Sequence, residues 1–179
     1  MSELIIVRSL TESDLGLFKA HRAAAKSKQR AIALTSEAAS VLLSARLYKA
    51  KDALIDTICI YGAFGNREQR RVGKVGKNWR LGGRQLVGPE FAALDSKDFV
   101  LIRSVSHNDG DAPMLVTFVG RHREQLMHAG LAASVGDLFR HSVVIVPRSS
   151  KSFDAVAAAF PPVPPGLALA APFDQAAMI

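Results

Sequence analysis

The stretch from Tyr61 to Arg84, YGAFGNREQRRVGKVGKNWRLGGR, restricts the fold of this chain more than any other segment. Six glycines interrupt it, at positions 62, 65, 73, 76, 82 and 83. A glycine inside a helix costs roughly 1 kcal/mol relative to alanine, so a helix through this segment is strongly disfavoured. The segment is therefore predicted to be an extended loop or ribbon, with a hairpin turn at Leu81–Arg84.

Positive charge is concentrated in two parts of the chain. The 179 residues include 23 Lys and Arg against 16 Asp and Glu. Five of these cations lie in Lys19–Arg30 and seven in Arg67–Arg84, and Glu68 is the one acid in either window. Charge that served solubility alone would be spread more evenly. The pattern predicts an anionic partner, either nucleic acid or an anionic membrane.

Cysteine content and hydropathy indicate the cellular compartment in which the protein binds its partner. The single cysteine, Cys59, lies in the apolar run IDTICIYG and is predicted to be a buried thiol. A chain with one cysteine forms no internal disulfide, which fits a reducing compartment. The N-terminus lacks the features of a signal peptide, and no stretch has the ~20 apolar residues of a membrane span. We therefore expect a cytoplasmic protein without a membrane partner.

Short β-rich segments recur along the chain and predict a mainly β fold of the α+β class. The predicted strands are Leu4–Val7, Ala31–Leu34, Ile55–Tyr61, Asp98–Val105, Met114–Val119 and Ser142–Val146. Two short helices are predicted, one within Ala38–Leu47 and one at Arg123–Val135. After residue 147 the run FPPVPPG and an alanine-rich end are typical of a linker. The prediction is a barrel-like domain over 1–147 and a Pro/Ala-rich linker or tail over 148–179.

The hexapeptide NREQRR within the basic stretch offers side chains that can distinguish bases. Arginine pairs with guanine O6 and N7, glutamine pairs with adenine, and a carboxylate accepts from cytosine N4. Because phosphate would repel Glu68, this acid favours a base edge over the DNA backbone. The alternative is a solvated basic loop. Trp79 could stack on a base, but a structural role is the favoured interpretation.

Two other functional classes stay open on the residues alone. Glu90, Asp95 and Lys97 form a compressed version of the acid-plus-D-x-K pattern of Mg²⁺-dependent nucleases. Four residues between the two acids hardly suffice for two paired strands and a turn, so a polar turn is the favoured interpretation of that segment. An RNA-binding β-barrel is the second alternative, although such proteins use more exposed aromatic side chains. The five histidines show no metal-ligand spacing.

The order of these motifs resembles a known family. Five segments follow one another between Leu4 and Val119. They are a first strand (LIIVRSLTESD), a basic loop ending KSKQRAIAL, a strand leading into NREQRR, the segment KNWRLGG and the segment DFVLIRSV. This order is similar to the DNA-binding pseudobarrel family of the EcoRII N-terminal effector domain and the plant B-three domains. The resemblance implies a seven- to eight-stranded open pseudobarrel with two short helices. It also implies two arms that enter the major groove of DNA from either side.

The implied arms contain the candidate DNA-binding residues. Lys28 stands where the EcoRII domain has histidine, and Gln69 where it has lysine. The loop before Lys28 is longer here. The candidate DNA-binding residues come from the two arms and the cations that flank them. They are Arg22, Lys26, Lys28, Gln29, Arg30, Asn66, Arg67, Glu68, Gln69, Arg70, Arg71, Lys74, Lys77, Asn78 and Arg80.

These residues predict a sequence-specific double-stranded DNA recognition domain of a type II restriction endonuclease. The candidate target is a short GC-rich site, with CCWGG (W being A or T) carried over from the resemblance. We expect no catalytic residues, metal or cofactor in this chain. The catalytic domain, with its Mg²⁺, would follow the proline-rich linker, and the domain would bind DNA as a monomer. Lysines would contact phosphate and the arms would provide selectivity.

Overall fold

The fold is built on one sheet of eight strands. The computed structural model describes residues 3–21, 23, 29–105, 113–139 and 142–168. The strands are β1 (Glu3–Ser9), β2 (Ile32–Leu34), β3 (Asp52–Tyr61), β4 (Phe64–Val75), β5 (Asn78–Leu81), β6 (Phe99–Val105), β7 (Met114–Val119) and β8 (Val143–Pro147). Their order across the sheet is β2-β5-β4-β3-β7-β6-β1-β8. All pairings are antiparallel except that of β3 with β7. The prediction of a mainly β, barrel-like domain of seven to eight strands is confirmed.

The described residues contain more helical segments than the two predicted. They form α1 (Ser36–Leu42), α2 (Ala45–Ala50), α3 (Gln125–Val135), α4 (Phe153–Ala157) and α5 (Pro165–Ala168). The first predicted helix is divided because Leu43 adopts an extended conformation and Ser44 begins a new helix. The Ser44 hydroxyl accepts from the Leu47 amide, as an N-cap does. None of the described helices has the length and apolar character needed to cross a bilayer.

Strand β1 separates two apolar clusters, because its side chains alternate between the two faces of the sheet. Ile6 belongs to the larger cluster, which contains Trp79, while Ile5 and Val7 belong to a second cluster on the other face. The second cluster is covered by α3 and α4, including the buried side chain of Phe153. Burial of a side chain of this size contributes about 1.5–3 kcal/mol. The run LIIV is therefore apolar throughout because both of its faces are covered.

The segment after residue 147 does more in the described structure than a linker would. Helix α4 packs on the second cluster, and Val156 and Ala159 are buried there. Arg148 lies beside β1, where its side chain donates to Glu3 at 2.5 Å. The division into residues 1–147 and a separate tail stays a prediction, but residues 148–160 contribute to the packing of the sheet.

The glycine-rich basic stretch is a pair of long antiparallel strands. β4 pairs with β3 over its first ten residues, from Phe64 opposite Tyr61 to Gly73 opposite Asp52. It then turns back at Gly76 and Lys77 to pair with β5. The predicted hairpin turn at Leu81–Arg84 is therefore wrong. The turn falls at Gly76 because this residue adopts φ +61°, a conformation that glycine enters at little cost.

Candidate nucleic-acid interface

The side chains of β4 alternate between the core and the outside of the sheet. Phe64 and Val72 pack into the larger cluster, so the residues at odd positions point outward. The register sets Arg67 opposite Ile58, Gln69 opposite Asp56 and Arg71 opposite Leu54. We call the outward side chains of Asp52, Leu54, Asp56, Arg67, Gln69 and Arg71 the arginine face.

Two bidentate ion pairs lie on the arginine face. Arg71 donates from Nε to Asp52 Oδ1 and from Nη2 to Asp52 Oδ2, both at 2.6 Å. Arg67 donates from Nη2 to Asp56 Oδ2 at 2.6 Å and from Nε to Asp56 Oδ1 at 3.2 Å, and its Nη1 donates to the Leu167 carbonyl of α5 at 3.3 Å. Each arginine reaches the acid two residues before its cross-strand partner, so the same arrangement repeats after four residues on each strand. We call these two pairs the Arg71 fork and the Arg67 fork.

Hydrogen bonding within the forks favours the charged forms of Asp52, Arg67 and Arg71. The hydrogen bond from Arg71, and then its positive charge, holds the pKa of Asp52 below its ordinary value. In return, the hydrogen bonds that Arg71 donates to Asp52 and Arg67 donates to Asp56 raise the pKa of each arginine. Each fork is therefore close to neutral as a unit, and the face is not a simple positive patch. The Nη1 donors of Arg71 are not used by Asp52 and can be offered to a ligand.

Gly73 lies in van der Waals range of the Arg71 fork. A Cβ atom at this position would lie 3.4 Å from Asp52 Oδ1 and 3.7 Å from Arg71 Nε. Arg80 lies directly across from Gly73 on β5 and is half-buried. Gly73 therefore lies among three polar side chains of the site, those of Asp52, Arg71 and Arg80.

Arg70 and Glu68 occupy the opposite, inward-facing side of β4. Arg70 is 2% exposed and forms an ion pair with Glu68. Its Nη1 also donates to the carbonyl of Arg84 at 3.3 Å and lies 3.5 Å from that of Gly82. The structure therefore uses both residues to support the segment after β5. Their predicted contacts with bases stay predictions, and each would require this pair to open.

Asn66 lies on the same inward-facing side. It is half-buried opposite Cys59, as the register pairs them. Cys59 is buried as predicted, and burial raises the pKa of its thiol to about 12. Asn66 therefore has less access to a ligand than the exposed outward residues Gln69 and Arg71.

The two predicted arms meet at Gly82. Its amide donates to the Arg71 carbonyl at 2.8 Å. A Cβ atom on Gly82 would lie 3.9 Å from the Arg71 carbonyl oxygen and 4.0 Å from that of Arg30. The described end of the amino-terminal arm and the end of the carboxyl-terminal arm thus flank one glycine. Arg22, Lys26 and Lys28 lie outside the described residues.

The buried acid Asp14 ties the segment that follows the amino-terminal arm to the rest of the sheet. Asp14 is fully buried, and its Oδ2 accepts from Arg8 Nε at 2.9 Å. Its other oxygen accepts from the Ala33 amide of β2 at 3.0 Å. Gln29 donates from its side chain to the Ala31 carbonyl at 2.8 Å. β2 and the residues just before it are therefore tied to β1 and to β5.

A second group of cations lies at the tip of the β4–β5 hairpin. Lys74, Lys77 and Asn78 are exposed there, and the Lys74 amide donates to the Lys51 carbonyl at 2.9 Å. Lys49 is exposed in the last turn of α2. Lys49 and Lys51 are exposed cations outside the set predicted from the sequence, and both lie in the run RLYKAK. We call Lys49, Lys51, Lys74 and Lys77 the tip lysines.

Trp79 holds α2 against this hairpin. It is 1% exposed and stacks on Tyr48 with ring centroids 4.9 Å apart and an interplanar angle of 15°. The favoured structural role of Trp79 is confirmed. Among the described aromatic side chains, each is buried or half-buried.

The residues of the nuclease alternative are not assembled as a metal site. Glu90 lies in the 3-10 turn Pro89–Ala93, whereas Asp95 Oδ1 accepts from the neighbouring Ser96 amide at 2.7 Å. Lys97 has φ +72° and its amide donates to the Leu10 carbonyl. Within the part of the chain that the structure describes, no three His, Cys, Asp or Glu side chains form a group able to hold a metal ion.

The fold of this chain, unlike its sequence, matches known proteins. The sequence matches no family model and no curated protein. The fold is similar to the B3 domain of the UbaLAI restriction endonuclease, solved with its cognate DNA. That likeness has a TM-score of 0.48 and 13% sequence identity, and it covers 82% of this chain and 87% of the other. The strand pairings given above, rather than this likeness, establish the architecture.

Proposed function

We propose that this chain binds double-stranded DNA through the arginine face and the adjoining end of the amino-terminal arm. It would act as the sequence-specific recognition domain of a type II restriction endonuclease. The observation that carries the proposal is that the backbone carbonyls of Arg30 and Arg71 both lie beside Gly82, next to the exposed Arg71 fork. The backbones of two basic segments distant in sequence therefore lie side by side, and in this proposal their side chains share one surface supported by the sheet, as selective base contacts require.

The dimensions of the arginine face suit the major groove. The two forks are four residues apart along β4, which corresponds to about 13 Å at the rise of a strand. Successive base pairs are about 3.4 Å apart, so the forks span about four base pairs. The major groove is about 12 Å wide and admits a two-stranded β-ribbon. β3 and β4 form such a ribbon.

The chemistry of the face favours base contacts over simple charge attraction. Arg71 is 67% exposed at its side chain and retains its Nη1 donors for guanine O6 and N7. Gln69 is exposed between the forks and has the amide that pairs with adenine. Because Asp52 and Asp56 neutralise the forks, most of the phosphate attraction would come from the tip lysines and the amino-terminal arm.

A binding titration tests the proposal. Mobility shifts would compare a CCWGG duplex with a scrambled duplex of the same composition. The expected preference is several kcal/mol, since each mismatched base pair costs about 1–3 kcal/mol. Arg71→Gln should reduce this preference by about 1–3 kcal/mol. The matched control is Arg148→Gln, because Arg148 is equally exposed and paired but lies at the β8 edge of the sheet. Equal binding of all duplexes would reject sequence-specific recognition.

Lysine variants separate phosphate contacts from base contacts. Lys74→Ala should weaken binding to both duplexes alike and lower the salt-dependence slope by about 1. Arg71→Gln should instead change the ratio between duplexes. A Lys74→Ala variant that alters base preference with an unchanged salt slope would contradict this division of roles.

The proposal includes no metal or cofactor for this domain, with Mg²⁺ needed only by a catalytic domain beyond the proline-rich segment. Duplex binding should therefore be the same in Mg²⁺ and in EDTA, and one chain should bind each duplex. Cleavage of plasmid by this chain in Mg²⁺ would favour the nuclease alternative instead. The RNA-binding alternative would require tighter binding to single-stranded RNA than to duplex DNA. The lack of an exposed ring among the described aromatic residues disfavours it, because single strands are held by stacking.

A further inference from the structure

We propose that Leu54 makes DNA binding depend on the 5-methyl group of a pyrimidine, in thymine or in 5-methylcytosine. This inference rests on the proposed function, because it concerns the arginine face as a DNA-reading surface. Leu54 would be a specificity-determining residue on β3, a strand that contributes none of the DNA contacts predicted from the sequence.

The position of Leu54 carries the proposal. Leu54 is 64% exposed, although the preceding residue Ala53, on the inward side of β3, is buried. It lies directly opposite Arg71 in the register. Along β3 it is flanked on the same face by Asp52 and Asp56, each held in an arginine fork. An apolar side chain therefore stands uncovered between two acids that are already engaged.

The chemistry of the major groove leaves few partners for such a side chain. Base edges there present hydrogen-bond donors and acceptors, and the apolar group among them is the methyl on C5 of thymine. The same position carries the methyl group of 5-methylcytosine. Leucine offers no hydrogen bond to the polar edges, and the carboxylates of Asp52 and Asp56 are directed to arginines. A methyl group is the ligand that Leu54 can contact without leaving a polar group unpaired.

The geometry places this contact next to the Arg71 fork. Cross-strand neighbours have Cβ atoms about 4.5–5.5 Å apart, and successive base pairs are about 3.4 Å apart along the duplex. Arg71 and Leu54 can therefore address neighbouring base pairs, with the arginine on a guanine and the leucine on a methylated pyrimidine. The pair would read a dinucleotide step, and the central W of CCWGG always supplies one thymine methyl beside a guanine.

The experiment uses duplexes that differ in methyl groups alone. A pool of random duplexes would first be selected on the full chain to give the bound site. Fluorescence anisotropy would then compare that site with a copy in which thymines are replaced by uracil, and with a copy in which cytosines are replaced by 5-methylcytosine. Loss of one buried methyl-sized group is expected to weaken binding about fourfold, which corresponds to about 0.8 kcal/mol.

Two variants show whether Leu54 is the residue responsible. In Leu54→Ala the thymine and uracil duplexes, or the methylated and unmethylated cytosine duplexes, should bind equally. Val87→Ala is the matched control, because Val87 is 58% exposed but lies in the loop after β5. Val87→Ala should keep the full methyl preference. Thermal unfolding of both variants should match that of the parent chain, since neither side chain is buried.

The outcomes separate the inference from the proposed function. A fourfold loss with uracil assigns the contact to thymine, and a gain confined to methylated cytosine assigns it to 5-methylcytosine. Selective binding of one sequence with no effect of any methyl group would overturn the role of Leu54 and keep the proposed function. A methyl preference that survives Leu54→Ala would overturn it as well. Failure of the selection to enrich any sequence would reject the proposed function itself.

Discussion

The burial of Arg70 allows a sharp test between the sequence-based prediction and the structure. As part of NREQRR, Arg70 is a predicted DNA contact, yet its side chain is 3% exposed and ion-paired with Glu68. Arg70→Met keeps the bulk of the side chain but removes its charge. Breaking a buried ion pair by removing one partner costs about 3–5 kcal/mol. Because Glu68 remains 21% exposed and keeps some water, we expect the lower end, about 3 kcal/mol.

Urea unfolding followed by circular dichroism measures this loss. For a chain of this size, about 3 kcal/mol corresponds to a fall in melting temperature of roughly 6–12 °C. Arg84→Met is the control, since Arg84 is exposed in the segment that Arg70 supports, and it should change the free energy of unfolding by less than about 0.5 kcal/mol. Arg70→Met combined with Glu68→Gln should recover part of the loss, because no unpaired buried charge remains. Arg70→Met that unfolds like the parent chain but no longer selects its DNA site would refute the structural role.

Three further outcomes follow from individual contacts. The Asp52 carboxyl should titrate below its ordinary pKa of 3.8 in a carbon-detected NMR titration, and Arg71→Gln should raise the pKa of Asp52 toward that value. Because the pKa of Asp52 is lower in the folded state, the Arg71 fork stabilises the fold above the unfolded-state pKa. This stabilisation is lost as the pH falls through the folded-state pKa. Gly76→Ala should destabilise the hairpin by about 1 kcal/mol in urea unfolding through its positive φ, without a steric clash, because no atom lies within 4 Å of a Cβ there. Thr35→Ala should cost about 1 kcal/mol of unfolding free energy, because its hydroxyl accepts from the Ala38 amide at 3.0 Å. An unchanged midpoint for Gly76→Ala or Thr35→Ala would contradict the positive φ or the N-cap, respectively, and an Asp52 titration at the ordinary value would contradict the Arg71 fork.

Several elements follow directly from local sequence. β7 was predicted at Met114–Val119 and is found there, and β6 begins one residue after the predicted Asp98. Both strands are dense in β-branched and aromatic residues that suit a sheet with a buried face. The segment from Phe153 to Phe160 was assigned to the tail instead, because α4 is five residues long and shows no periodicity. Its place in the core depends on contacts with β1 and α3, which are distant in the chain.

The sequence by itself determined the β-rich class, the strands with continuous apolar runs, and the concentration of cations in two segments. It could not determine which of those cations face solvent. Within NREQRR, Arg67 and Arg71 point outward and Arg70 points inward because β4 pairs with β3 in one register, and a shift of one residue would exchange the two sets. Asp52 and Asp56 complete the forks through the pairing of β3 with β4, and the backbones of Arg30 and Arg71 approach Gly82 because β2 and β4 both pair with β5. Those pairings form when the strands assemble over a common core, so the tertiary structure decides which charges belong to one surface.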